Sequence, residues 1–498
     1  MSKRFKNLIL MLLVPVGLVA LFALMSIASG GTGTQVASAA KDPGYSPNGS
    51  WSDLPALPTV TLGFGQGQYG GEGNTPLKLK RGSAVGYPPN GMVYILGGRH
   101  RTDGDDISSP WIWQYDPGTN TYTRKNTLID ADITGDGQCP QGCYGTRASG
   151  NMAVATLSDG TNTRIYMIGG SDTNSLASNR VRVYDPVADS LTLLTSDVWP
   201  ASPARIPGGY AVYNNKLYIF GGYDPTYNNV VYSDTWVFDP TAGSGAKWTH
   251  IASANLSVAR SFIAGAELDG YIYAIGGDVI SGVISTTVVP QTVVERMHPA
   301  DANPTWQAMA SLPTARGDMG VWAYDSGTGN EISGHIVVGG GKFPIPDSTS
   351  YIYDPGTNSW SNFAPLMRNR RNVAYTQFNN VLYAFGGYNI TNTSGVLGYD
   401  GSNDSMKYTL ASGGPTFTPT PTRTGTQPTN TPTNTAIPST NTPSATSTTC
   451  GISSLINEGF ESGLGTFSSV VGTCVPGGCG WSHASNAHTG TGDAFAPD

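Results

Sequence analysis

The chain has 498 residues, which at roughly 100–200 residues per domain allows about two to four domains, and its 39% apolar content excludes wholesale disorder. Charged residues are 12%, glycines number 65, and Lys+Arg 27 against Asp+Glu 34 leaves a net charge of −7. That balance speaks against a nucleic-acid partner and against long solvated helices, while Gly, Thr, Ser, Asn and Tyr favour strands and turns.

In chain order, the N-terminus opens on Lys3, Arg4 and Lys6, followed by an uncharged run over 7–28 and small residues ending at Ala39 and Ala40. A basic start, an apolar run and a small-residue site describe a secretory signal cleaved after Ala39 or Ala40. The run is also long enough to span a bilayer, so an uncleaved anchor is the alternative, and membrane contact is expected only in that case. Residues 1–40 are therefore an export segment, and the rest is secreted or displayed at the cell surface, where cysteines oxidise. Five cysteines are present. Cys139–Cys143 and Cys474–Cys479 each enclose a short loop that a disulfide would close, and Cys450 is left over. No histidine stands at zinc-ligand spacing from them.

Residues 45–411 carry an internal repeat. Six apolar strands run into paired glycines at Gly97-Gly98, Gly169-Gly170, Gly221-Gly222, Gly276-Gly277, Gly339-Gly340 and Gly386-Gly387. Each is followed by a second strand ending in a turn: Tyr115-Asp116-Pro117, Tyr184-Asp185-Pro186, Phe238-Asp239-Pro240, Met297-His298-Pro299, Tyr353-Asp354-Pro355 and Tyr399-Asp400-Gly401. Aromatics such as Tyr122, Trp248, Trp306 and Trp360 come next. Within the repeat, Asp130, Asp132, Thr134 and Asp136 place oxygens as a calcium loop does, with glycine at its sixth position, but Gln141 stands where a bidentate Glu belongs. Calcium is the one cofactor considered; none is otherwise implied. After the repeat, 412–449 is a Thr/Pro-rich linker with no face to bury. Residues 450–498 resemble the opening of an extracellular jelly-roll module, too short to complete one.

The strand, Gly-Gly, Tyr-Asp-Pro and aromatic pattern resembles the kelch repeat over roughly 80–410. The resemblance implies an all-β fold: a β-propeller with four-stranded antiparallel blades around a channel. Six blades are expected. A seventh assembled from 45–80 is the alternative, because the tryptophan segment at Trp51 matches that at Trp306 and either closes the last blade or begins another.

Arginines precede the first strand of each repeat: Arg81, Arg147, Arg205, Arg260, Arg316 and Arg370. Four of them, Arg81 included, lie sixteen residues before their glycine pair, which suggests one structural position around one mouth of the channel. Strand alternation adds the residues after the glycines to the same face: Arg99, His100, Asp172, Tyr223, Asp224, Asp278, Lys342 and Tyr388. Guanidinium forks and aromatic faces suit an acidic peptide, a protein or an acidic glycan, and the kelch resemblance implies a ligand at such a mouth. The competing reading is architectural, with each arginine satisfying carbonyls or a carboxylate. A copper radical oxidase is disfavoured, because His100, His250, His298 and His335 fall at dissimilar repeat positions and no blade strand carries a cysteine. A sialate-mutarotase-like epimerase needs an acid–base group beside the arginines, for which Asp318, Glu295 and His298 are the candidates. A purely structural surface protein is the third possibility.

Overall fold

The computed structural model describes residues 47–60, 75–102, 105–109, 111–127, 150–171, 177–225, 229–281, 287–393, 396–413, 482–484 and 493–495. Two compact units divide between Thr422 and Arg423. In the second, Ser482–Ala484 pairs antiparallel with Asp493–Phe495. All regular structure among the described residues of the first unit is strand.

Six four-stranded antiparallel sheets form the blades. Their innermost strands are Ser83–Tyr87, Ala153–Ser158, Ile206–Tyr213, Ala264–Leu268, Gly320–Tyr324 and Ala374–Phe378. Each touches the next in sequence, and the sixth touches the first, so the ring is closed. Six separate hydrophobic clusters fill the six wedges between neighbouring blades. The ring leaves only short, protected inner edges facing the channel, and each wedge is a core of its own.

The first-to-second-strand hairpins of blades 3, 4 and 6 turn on two residues, Asn214-Asn215, Asp269-Gly270 and Asn379-Asn380. All six have positive φ, as a hairpin matched to strand twist requires. At the third-strand ends, Asp116 and Asp354 cap their own turns by accepting the N–H of Gly118 and Gly356. The preceding Tyr115, Tyr184 and Tyr353 donate to Asn120, Asp189 and Asn358, each at 2.6 Å and each with positive φ. These turns explain the repeated Tyr-Asp-Pro signature.

Outer-strand aromatics stitch five of the six blades to the one before. Trp248 donates to the Asp197 carbonyl, Trp306 to Thr235 Oγ1, Trp360 to Ala310 and Trp51 to Ala364, while the Tyr122 hydroxyl reaches the Pro55 carbonyl.

Two sequence expectations need correction in blade 6. Its third strand is Ser405–Thr409, and its fourth is Trp51–Leu54, with Trp51 opposite Tyr408 and Leu54 opposite Ser405. The segment ahead of the first blade closes the ring, and the described residues form six blades rather than seven. Tyr399-Asp400-Gly401 ends not the third strand but an inserted hairpin, Tyr388–Thr393 with Val396–Gly401. In blade 5 the structural glycine pair is Gly340-Gly341, one residue later than the strand run suggested, with φ of 69° and 84°.

Candidate functional site

The first glycine of each pair has a steric purpose. A Cβ on Gly221, Gly340 or Gly386 would lie 2.5 Å from the carbonyl oxygen of Arg260, Arg370 or Leu79 in the next blade. The second glycine then donates its N–H to that same carbonyl, Gly222 to Arg260 at 3.0 Å, Gly341 to Arg370 at 2.7 Å and Gly387 to Leu79 at 2.8 Å. Glycine is needed because backbone meets backbone there.

Those bonds also fix the arginine backbones, and the side chains turn inward. Arg205 pairs with Asp234 (2.6 Å), Arg260 with Glu295 (2.8 Å), Arg316 with Asp347 (3.1 Å) and Arg370 with Asp404 (2.6 Å). Three of them also donate to the first glycine's carbonyl: Arg260 to Gly276, Arg316 to Gly340 and Arg370 to Gly386. Arg205 stacks on Tyr232 and Arg316 on Tyr351. All four are buried. Burial works against the charges of Arg260 and Arg370, and the partner carboxylates sustain them. The architectural reading describes these four. Their acids were not legible, because they stand at different distances from the paired glycines.

Arg81 does not share their position. Pairing sets Ser83 opposite Leu96 in blade 1 and Ala264 opposite Ile275 in blade 4, so Leu79 corresponds to Arg260, and Arg81 to Phe262. The matching sixteen-residue spacing is an accident of a longer hairpin: Tyr87 pairs with Met92, where Leu268 pairs with Tyr271. Arg147 lies outside the described residues, as do Asp172, the calcium-like Asp130, Asp132, Thr134 and Asp136, the cysteines Cys139, Cys143, Cys474 and Cys479, and the His100 side chain.

Arg81 belongs to a different ring. Arg81, Asn151, Phe262, Asp318 and Asn372 occupy equivalent places with φ between 51° and 59°, and Pro207 completes the set. Their backbones hydrogen-bond around the mouth: Asn151 N–H to Arg81, Arg81 to Asn372, Asn372 to Asp318, and Asp318 to Phe262. These six residues surround a cavity of about 80 Å³. Tyr210 and Tyr375 line both this cavity and a larger one further along the channel, and so stand between the two.

The mouth is electrostatically uneven. Asp318 accepts from Asn372 and from Arg371, 3.4 Å away. Burial pushes its carboxyl above the ordinary range, against the pull of Arg371 and Arg81. Burial raises Asp278 as well, helped by Asp318. Arg371, which the sequence reading did not single out, is stacked between the rings of Phe343 and Tyr388. Arg81 has no ion pair among the described residues, and its Nε is buried without a hydrogen-bond partner. Its charge is felt by Tyr223 and Asp318. Lys342 lies near Asp347 (3.9 Å), Asp224 and Tyr388 are buried, and Arg99 donates to Ser171. Of the acid–base candidates, Asp318 reaches the mouth. Glu295 is held by Arg260, and His298 pairs with Asp301 in the turn after the third strand, at the opposite face.

A family model described as the Kelch motif matches residues 204–255, which is blade 3. The match covers one of the six blades. The fold is a six-bladed β-propeller of the kelch type. Kelch-like protein 25 of Xenopus tropicalis is 24% identical over 250 residues, covering 49% of this chain and 38% of that protein. Kelch-like protein 13 of Homo sapiens is 33% identical over 128 residues, 25% of this chain and 18% of that one. Kelch repeat and BTB domain-containing protein 2 of Homo sapiens is 25% identical over 142 residues, 28% and 19% respectively. The chain thus spans less than two-fifths of the length of these relatives.

Proposed function

We propose that the kelch propeller is an exported binding module that holds an acidic segment of a protein partner on the face carrying Arg81. One observation carries the reading: Arg81 is a half-buried cation at the channel mouth without a carboxylate partner among the described residues. Its acidic neighbour Asp318 is pushed towards its neutral form and competes weakly for it. Val230 at the start of a third strand, Val289 in an inserted hairpin and Ile345 in a loop are exposed on the same face and offer apolar contact to a protein surface. Export rests on the basic and apolar N-terminal segment.

The test is an array of acidic peptides and acidic glycans probed with the full chain and with Arg81→Ala. Peptide binding lost in the variant supports the reading. Binding of glycans alone moves the ligand to sugar, and binding untouched by Arg81→Ala refutes the site. A second reading, a sugar epimerase, draws on Asp318, a raised carboxyl beside Arg371. It predicts conversion of a sugar substrate that Asp318→Asn abolishes.

A further inference from the structure

Beyond Tyr210 and Tyr375, the innermost strands of all six blades enclose a second cavity of about 330 Å³, reaching to the turns after the first strands. That volume is at the lower end for a small-molecule site. Valine and alanine side chains and the rings of Tyr210, Tyr324 and Tyr375 line it, and its charged lining residues are Glu267 and Asp325. Among the described residues no lysine or arginine lines it.

We propose that this cavity binds a small alkylammonium cation, with its charge against Glu267 and its alkyl groups against the tyrosine rings. Aromatic faces and a carboxylate in a confined space are the chemistry that recognises such ions. Part of the polar lining is already engaged within the propeller, which leaves the carboxylate and the rings as the main recognition features. The Gln377 amide is spent on the N–H and carbonyl of Ala323. Asp325 accepts from the Asp269 N–H at 2.7 Å. Glu267 has one oxygen on the Gly270 N–H at 2.8 Å, and the described residues give no bond to the other.

The protonation of Glu267 makes the site pH-dependent. Burial pushes its carboxyl up to about 7, opposed by the Gly270 N–H and reinforced by Asp325 and Asp269. The other titratable groups around the cavity are Asp325, with Asp269 beside it, and Tyr210, Tyr324 and Tyr375, the three tyrosines held neutral because burial raises them. A bound cation favours the ionised form, so binding releases a proton below about pH 7 and tightens as pH rises.

The experiment is calorimetric titration of the full chain with choline and with its neutral carbon isostere, 3,3-dimethylbutan-1-ol, at pH 5.5 and pH 8. We expect choline to bind about tenfold or more tightly at pH 8 than at pH 5.5, and the alcohol to bind about tenfold more weakly than choline at pH 8. Glu267→Gln removes the pH dependence and most of the choline affinity. Equal binding of the alcohol, pH-independent choline binding, or no choline binding up to ~100 mM overturns the proposal. The two wild-type comparisons decide it even where the variant fails to fold.

Discussion

Arginine plays two parts in this propeller, and the difference comes from two residues of backbone. Four residues before the strand position facing the glycine pair, the side chain folds back onto its own blade; two residues before it, the side chain stands at the mouth. Arg260 and Glu295 are both buried, so Arg260→Ala strands a charge and is expected to cost about 3–5 kcal/mol in chemical denaturation. At the mouth, the raised carboxyl of Asp318 ionises as pH rises and places negative charge beside Arg81. Acidic-peptide affinity should therefore fall as pH rises through that ionisation, and Asp318→Asn should flatten the fall in a binding titration. Glu267 has the same sign for stability. Its folded value of about 7 exceeds the ordinary 4.5, so its stabilising influence is complete below about 4.5 and lost as pH climbs through 7. Discounted for partial exposure, this is on the order of 1 kcal/mol. A pH series of melting temperatures should show Glu267→Gln gaining on wild type at pH 8 and matching it at pH 4. Little of this was legible. The mouth ring shares a positive φ rather than a residue type, since Phe262, Asp318, Asn372 and Arg81 have no common chemistry. Arg371, one residue from a repeated arginine, gave no periodic signal.

At the level of elements, the turn chemistry was legible because it is written locally. Tyr-Asp-Pro dictates geometry within a few residues, whereas the Asn-Asn hairpins, equally local, went unread. Strand partnership across the chain was harder. Tyr399-Asp400-Gly401 imitates the repeat's turn, yet the strand it ends pairs with Tyr388–Thr393. Ser405–Thr409 takes the place beside Val381–Phe385, because Met406 and Tyr408 supply the buried side chains that the wedge against blade 5 needs. Trp51 is the keystone of the closure: it sits in that wedge against Trp322 and Tyr408 and donates to Ala364 at 3.1 Å. Trp51→Ala should cost about 3–5 kcal/mol in a denaturant melt. Hydrogen exchange should show the loss first in Ser405–Thr409, the strand left at the edge.

Across the whole molecule, six wedges and a closed inner ring divide the channel into two compartments with tyrosines between them. One end offers a cation beside a neutralised carboxyl, the other an acidic, aromatic chamber. The kelch pattern made the ring legible from its glycines and aromatics, whereas the compartments depend on which innermost-strand side chains meet across the axis, and spacing carries no record of that. The division of labour among the arginines is tested most directly by one chemical-denaturation series of Arg→Ala substitutions at 81, 205, 260, 316 and 370. The variants at 205, 260, 316 and 370 should each lose more than about 1 kcal/mol, with the largest loss at 260, while that at 81 stays within about 0.5 kcal/mol of wild type. A loss at Arg81 equal to that at Arg260 would place it among the structural arginines and remove the free cation from the mouth.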